Sequence, residues 1–197
     1  MKESIARLGL AAGILTAAAL GPIELAAQSA DEQIAQAVLP LPEYMRAGAK
    51  VMGYAGGELR LLRDGEGSMV CLADDPDREG FHVACYHESL EPFMARGREL
   101  RAGGMNRREA LAKRWEEIDA ETLEMPEHPA ALYTLTSREG QSGPEHPEKL
   151  FRVTVIYTPY ATAEDVGLPT DPKEGLPWLM FPGRPSAHVM IHEPIGP

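Results

Sequence analysis

From Lys50 onward, apolar and polar positions alternate in short runs broken by turn residues. KVMGY is followed by Ala55-Gly56-Gly57, ELRLL by Asp64-Gly65-Glu66-Gly67 and SMVCLA by a turn around Asp75-Pro76-Asp77; FHVACYH closes the set. Period-two alternation bounded by Gly, Pro and Asp marks strands joined by tight connections, so these four runs predict an antiparallel meander. In the last two, Met69 and Cys71 alternate with Val70 and Leu72, and Phe81, Val83 and Cys85 alternate with His82, Ala84 and Tyr86. Both cysteines can therefore share one face of a hairpin.

The period then lengthens. Leu90, Phe93, Met94, Gly97 and Leu100 recur on one side of a helix that Ser89 can cap, with Pro92 in its first turn and Gly103-Gly104 at its end. Asn106 and Glu109 have capping-box spacing ahead of a second helix whose buried side carries Leu111, Trp115 and Ile118. The two make a helical hairpin inserted after the fourth strand. Beyond Pro126 and Pro129 the alternation returns at Ala131 to Thr136 and at Leu150 to Tyr157, with the polar linker SREGQSGPEHPEK between them expected to be mobile. Thr162 to Val166 predicts a single capped turn, and five prolines from Pro169 to Pro185 punctuate a long stretch before a last strand, AHVMI. The pattern predicts an α+β fold: an antiparallel sheet of about six or seven strands with an inserted helical hairpin and a long Pro-rich loop before the last strand.

The N-terminus follows a different grammar. Lys2 and Arg7 precede the largely apolar run Ile5 to Leu20, and Ala26, Ala27, Ser29 and Ala30 offer small residues for cleavage. That is the layout of a secretory signal peptide over residues 1–30, and the run is shorter than the ~20 residues needed to span a bilayer. Membrane contact is expected only through this segment while it is uncleaved, and a secreted or periplasmic location follows. Just beyond it, Ser29 and Glu32 have capping-box spacing, and Ile34, Ala37 and Val38 mark a short helix stopped by Pro40 and Pro42. With 44% apolar residues the chain is too apolar for disorder, and residues 31–197 predict one domain.

Chemistry enters with the cysteines. Export and facing strands favour a disulfide between Cys71 and Cys85 over two buried thiols or a reactive thiol with a lowered pKa. The six histidines do not have metal-ligand spacing: along a strand His82 and His87 point to opposite faces, and His188 and His192 stand ~13 Å apart. His128 and His146 have the flanks of surface loops. No metal and no cofactor is expected. His87-Glu88, at a strand-to-helix junction, is a place where an acid or base could be held. G-x-S-x-G, H-E-x-x-H, Walker-type and G-x-G-x-x-G motifs are absent, which disfavours the commonest hydrolases, zincins and nucleotide binders.

A net charge of −11 argues against nucleic acid as a partner, since the summed field of the protein repels a polyanion. Locally the sign reverses. Arg96 to Arg114 holds seven bases (Arg96, Arg98, Arg101, Arg107, Arg108, Lys113, Arg114) against Glu99 and Glu109, a face that is either solvated or docks an anionic partner such as an envelope polymer, a lipid headgroup or an acidic protein. The other unusual segment is GLPWLMFPGRP, where Trp178, Leu179, Met180 and Phe181 are consecutive between stiffening prolines. It either plugs the core or presents an apolar contact surface. The expectation is a noncatalytic domain that binds an unknown small molecule or envelope component through Tyr157, Tyr160, Trp178, Met180, Phe181 and His188. The competing expectation is a hydrolase-type enzyme whose acid and base groups come from His82, His87, Glu88 or His188.

Overall fold

Alternation in the sequence becomes pleat in the structure, a computed structural model that describes residues 28–137, 143–146, 149–173 and 175–194. Residues 1–27, most of the segment expected to be a signal peptide over 1–30, and parts of the polar linker lie outside these. The described strands are β1 (Lys50–Ala55), β2 (Glu58–Arg63), β3 (Met69–Leu72), β4 (His82–His87), β5 (Ala130–Ser137), β6 (Leu150–Tyr157), β7 (Trp178–Met180) and β8 (His188–Pro194). They form one eight-stranded sheet in the order β2-β1-β3-β4-β5-β6-β8-β7. The α+β architecture is as expected, with two differences in detail: an eighth strand, β7, forms inside the Pro-rich stretch, and the sheet is mixed because β3 lies parallel to β1.

The parallel pairing has a physical cause. Met69, Val70 and Cys71 are all buried, so β3 needs a neighbour on both sides, whereas β2 (ELRLLR) is largely exposed and suits an edge. The chain therefore returns from β2 beneath the start of β1 and inserts β3 on its far side. Asp64-Gly65-Glu66-Gly67 is the crossing, not a hairpin turn. The Gly67 amide donates to the Gly48 carbonyl at 2.8 Å, and a Cβ on Gly65 would sit 2.3 Å from the same oxygen. Only glycine lets the two backbones pass this closely.

Both faces of the sheet are covered. On one, Val51, Met69, Cys71 and Cys85 pack beneath Ala37, Val38 and Leu41, contributed by α1 (Ala30–Ala37) and the segment after it. Gln33 of α1 clips the edge of this layer, its side chain accepting from the Tyr54 amide at 2.7 Å and donating to the Tyr54 carbonyl at 2.9 Å. Cys71 and Cys85 stand directly opposite each other in the β3–β4 register and are joined as a disulfide, both fully buried. On the other face, Val70, Tyr86, Val153, Val155 and Tyr157 meet Leu90, just ahead of the helical hairpin, and Phe93 and Ile118 of its helices, α3 (Glu91–Ala102) and α4 (Arg107–Asp119).

Local signals placed the helix starts. Capping boxes close at Ser29 with Glu32, at Asn106 with Glu109, and at Thr162 with Asp165 ahead of α5 (Ala163–Val166). Ser89 does not cap α3. It sits in a 3-10 turn over Glu88–Leu90 that His87 caps, and α3 begins at Glu91. Glu43–Arg46 forms one further turn, α2.

Candidate functional site

Pairing of β7 with β8 decides the fate of the aromatic segment. Alternation sends Leu179 to one face, where it is fully buried, and Trp178 and Met180 to the helix-covered face. Phe181 then turns the chain at a positive φ of 57° and sets its ring edge-on to Trp115 and to His188, at centroid distances of 5.3 and 5.6 Å. Tyr157 lies 4.9 Å from the His188 ring and 6.1 Å from Phe93. Tyr157, Phe181 and His188 are thus brought together in a packed aromatic cluster beneath α3 and α4, with Tyr157 and His188 8% and 7% exposed. His188 Nδ1–H donates to the Ser186 carbonyl at 2.7 Å, and burial lowers the imidazole's pKa. Trp115 Nε1–H donates to Ser186 Oγ at 2.8 Å, tying α4 to the same corner. Tyr160 stands apart from the cluster, half exposed, its hydroxyl donating to Asp119 at 3.0 Å.

The acid and base candidates are dispersed. His82 and His87 occupy opposite faces of β4. By register, His188 lies three strands across and six residues along from His82, roughly 14 Å by 20 Å at sheet spacing. His87 Nδ1 accepts from the Ser89 amide at 3.2 Å, which makes it a cap for the turn. No group of three His, Cys, Asp or Glu side chains suited to a metal ion occurs among the described residues.

The basic run separates into two populations. Arg96 forks onto Glu117 at 2.8 and 2.7 Å and reaches Glu99; Arg98 is held by Glu91 and the Tyr86 hydroxyl; Lys113 pairs with Glu116. Arg114 is structural: it crosses α3 at Gly97, donates to the Phe93 and Ala110 carbonyls and lies 3.9 Å over the Phe93 ring, with burial lowering its pKa to about 10. Arg101 and Arg107, at the turn of the hairpin, enter no ion pair among the described residues.

These two face a cleft of about 720 Å³ together with Arg78 from the loop between β3 and β4, which likewise enters no ion pair among the described residues. The floor is sheet: Tyr54 paired with Leu59 across β1–β2, and Leu72 paired with Ala84 across β3–β4. The walls are the α3–α4 turn on one side and Asp75, Asp77 and Arg78 on the other. Burial and the neighbouring Asp75 raise the Tyr54 pKa to about 12, so the phenol stays protonated and bonds Asp75. Asp75 also accepts from the Asp77 amide at 3.0 Å, which fixes the turn that carries Arg78. Burial, reinforced by the positive charges of Arg78 and Arg107, lowers the His82 pKa to about 4. The imidazole is neutral at physiological pH, with Nδ1 2.7 Å from Thr136 Oγ1. Arg78, at an exposed position, has its charge disfavoured by partial desolvation and by the charges of Arg107 and Arg101. Asp74 and Asp75 favour the Arg78 charge and partly offset this repulsion.

Guanidiniums do not exchange protons at ordinary pH, and a neutral imidazole held by a threonine is a weak base. What the cleft offers is hydrogen-bond donors and positive charge above an apolar floor. Of its residues, Arg101 and Arg107 fell inside the basic run noted in the sequence. Tyr54 and Arg78 carried no comparable signal, because only the tertiary fold brings the ends of β1 and the Asp75 loop beside the α3–α4 turn.

No protein-family model, curated protein or solved structure matches this chain. The class it can be assigned is structural, a single-sheet α+β domain with a buried disulfide, and its function is argued from its own geometry.

Proposed function

We propose that this chain is an exported, noncatalytic ligand-binding domain whose ligand occupies the cleft between the β1–β2 hairpin, the Asp75 loop and the α3–α4 turn. The observation that carries the reading is the convergence of Arg78, Arg101 and Arg107 on one concave surface without ion-pair partners among the described residues. Leaving like charges together costs stability, and a bound ligand offsets that cost. The cleft has the volume of a small-molecule site. Dispersal of His82, His87, Glu88 and His188 supports binding over acid-base catalysis. Export is supported by the basic leader with its apolar run, by a disulfide that fits an oxidising compartment, and by the finding that no described helix is long and apolar enough to cross a membrane.

The test is amide chemical-shift mapping of the oxidised protein against a panel of small neutral and charged compounds. The reading expects perturbations gathered at Tyr54, Ala73 to Arg78, His82 and Arg101 to Arg107. Perturbations gathered at Tyr160 and Trp178 to His188 would place the ligand at the aromatic segment and overturn this location, and scattered perturbations would overturn binding at either.

A further inference from the structure

The cleft's two halves have different chemistry, and together they describe a ligand. Its mouth carries Arg78 from the loop after β3, Arg101 from the end of α3 and Arg107 from the first turn of α4. Arg78 feels the positive charges of Arg107 and Arg101. Asp74 and Asp75 partly offset the Arg78 charge; Asp75 also accepts from the Tyr54 hydroxyl and the Asp77 amide, and Asp74 Oδ1 accepts from the His82 amide at 2.9 Å. Arg98 and Glu99 also line the cleft, but each already has a partner, Glu91 and Arg96. With the Arg98–Glu91 and Arg96–Glu99 pairs set aside, the lining holds Arg78, Arg101 and Arg107 against Asp75 and Asp77, so its balance is positive by one charge. Below it, Leu59, Leu72, Ala73 and Ala84 with the ring of Tyr54 make an apolar floor.

We propose, resting on the binding reading above, that the ligand is a small organic oxyanion, a carboxylate or phosphate ester on an apolar body, with its head among Arg78, Arg101 and Arg107 and its body on the Leu59, Leu72 and Ala84 floor. Planar guanidiniums match carboxylate and phosphate oxygens in pairs, and an anion placed between them turns their mutual repulsion into attraction. Size and total charge separate a small anion from a polymeric one. The cleft of about 720 Å³ suits a molecule rather than a chain. The remainder of the protein is strongly acidic, which repels a polyanion long enough to overhang the arginines while leaving a singly or doubly charged ligand screened within about 10 Å.

Calorimetric titration of the oxidised protein, with amide-shift mapping of the same samples, tests this with benzoate, hexanoate, phenyl phosphate, neutral benzamide, inorganic phosphate and dextran sulfate. Benzoate or hexanoate binding ahead of phenyl phosphate would name a carboxylate head, and the reverse order a phosphate head; either is an expected result. Benzamide and inorganic phosphate should each bind at least tenfold more weakly than the best organic anion, since each lacks one half of the recognition. Arg107→Gln and Arg78→Gln, both at exposed positions, should each weaken the organic anion about tenfold while leaving the melting temperature within about 2 °C, and raising salt should weaken it further. Benzamide binding in the same cleft as tightly as benzoate would overturn the anion assignment and leave the binding reading standing. Dextran sulfate outcompeting every small anion would overturn the size argument. Absence of perturbation in the cleft by any probe would overturn both.

Discussion

His82 should make this protein sensitive to acid in a way that one substitution removes. Its imidazole is mostly buried between the sheet and the cleft, bonded through Nδ1 to Thr136 Oγ1, with Arg78 and Arg107 nearby. Burial first, and the two guanidiniums second, lower its pKa from 6.5 to about 4. The sign follows from which state takes the proton. Below pH 6.5 the unfolded chain protonates this histidine and the folded protein does not, so stability is complete above 6.5 and is lost as the pH falls towards 4. The gap corresponds to about 3 kcal/mol once both states are protonated, and to about 2.5 kcal/mol at pH 4.5. A His82→Gln variant retains a hydrogen-bonding side chain for Thr136 and cannot titrate at this position. Urea unfolding of the wild-type and variant proteins, followed by tryptophan fluorescence at pH 7.5 and pH 4.5, should show the wild type losing about 2.5 kcal/mol more than the variant. Carboxylates and His188 titrate in both and cancel in the comparison. Equal losses in the two proteins, or an imidazole titration midpoint near 6.5 by NMR, would refute the reasoning.

Two further predictions concern the frame that holds the cleft. Reducing Cys71–Cys85, whose sequence separation is 14, should cost about 3 kcal/mol in the chain-entropy model and lower the melting temperature by about 6 to 12 °C; calorimetry showing a shift of less than about 2 °C would refute the chain-entropy estimate. Gly65→Ala should destabilise by about 2 to 3 kcal/mol, since its Cβ would strike the Gly48 and Ala49 backbone, whereas Gly56→Ala meets open space and should cost only about 1 kcal/mol for its positive φ of 62°. Similar denaturation midpoints for the two alanine variants would show that the crossing beneath β1 tolerates the extra carbon.

Rules that act over a few residues were legible in the chain. Capping boxes at Ser29, Asn106 and Thr162 closed as their spacing required, because the groups involved are three residues apart and need no partner elsewhere. Alternation likewise placed Cys71 and Cys85 on one face, and the pleat did the rest. What lay beyond local rules was the choice of neighbours. Nothing within Met69 to Leu72 says whether β2 or β1 lies beside it; the demand to bury β3 on both edges and leave the charged β2 outside decides that, and it is a property of the whole sheet. Trp178 to Met180 became a strand because β8 had an open edge to pair with, so the tripeptide buries Leu179 and leaves Trp178 and Met180 half-buried at the edge of the sheet. The cleft is the furthest from the sequence. Arg78, Arg101 and Arg107 are separated by a strand, a turn and a helix, and their charges meet only because the helical hairpin folds back over the face of the sheet from which Tyr54, Leu72 and Ala84 project.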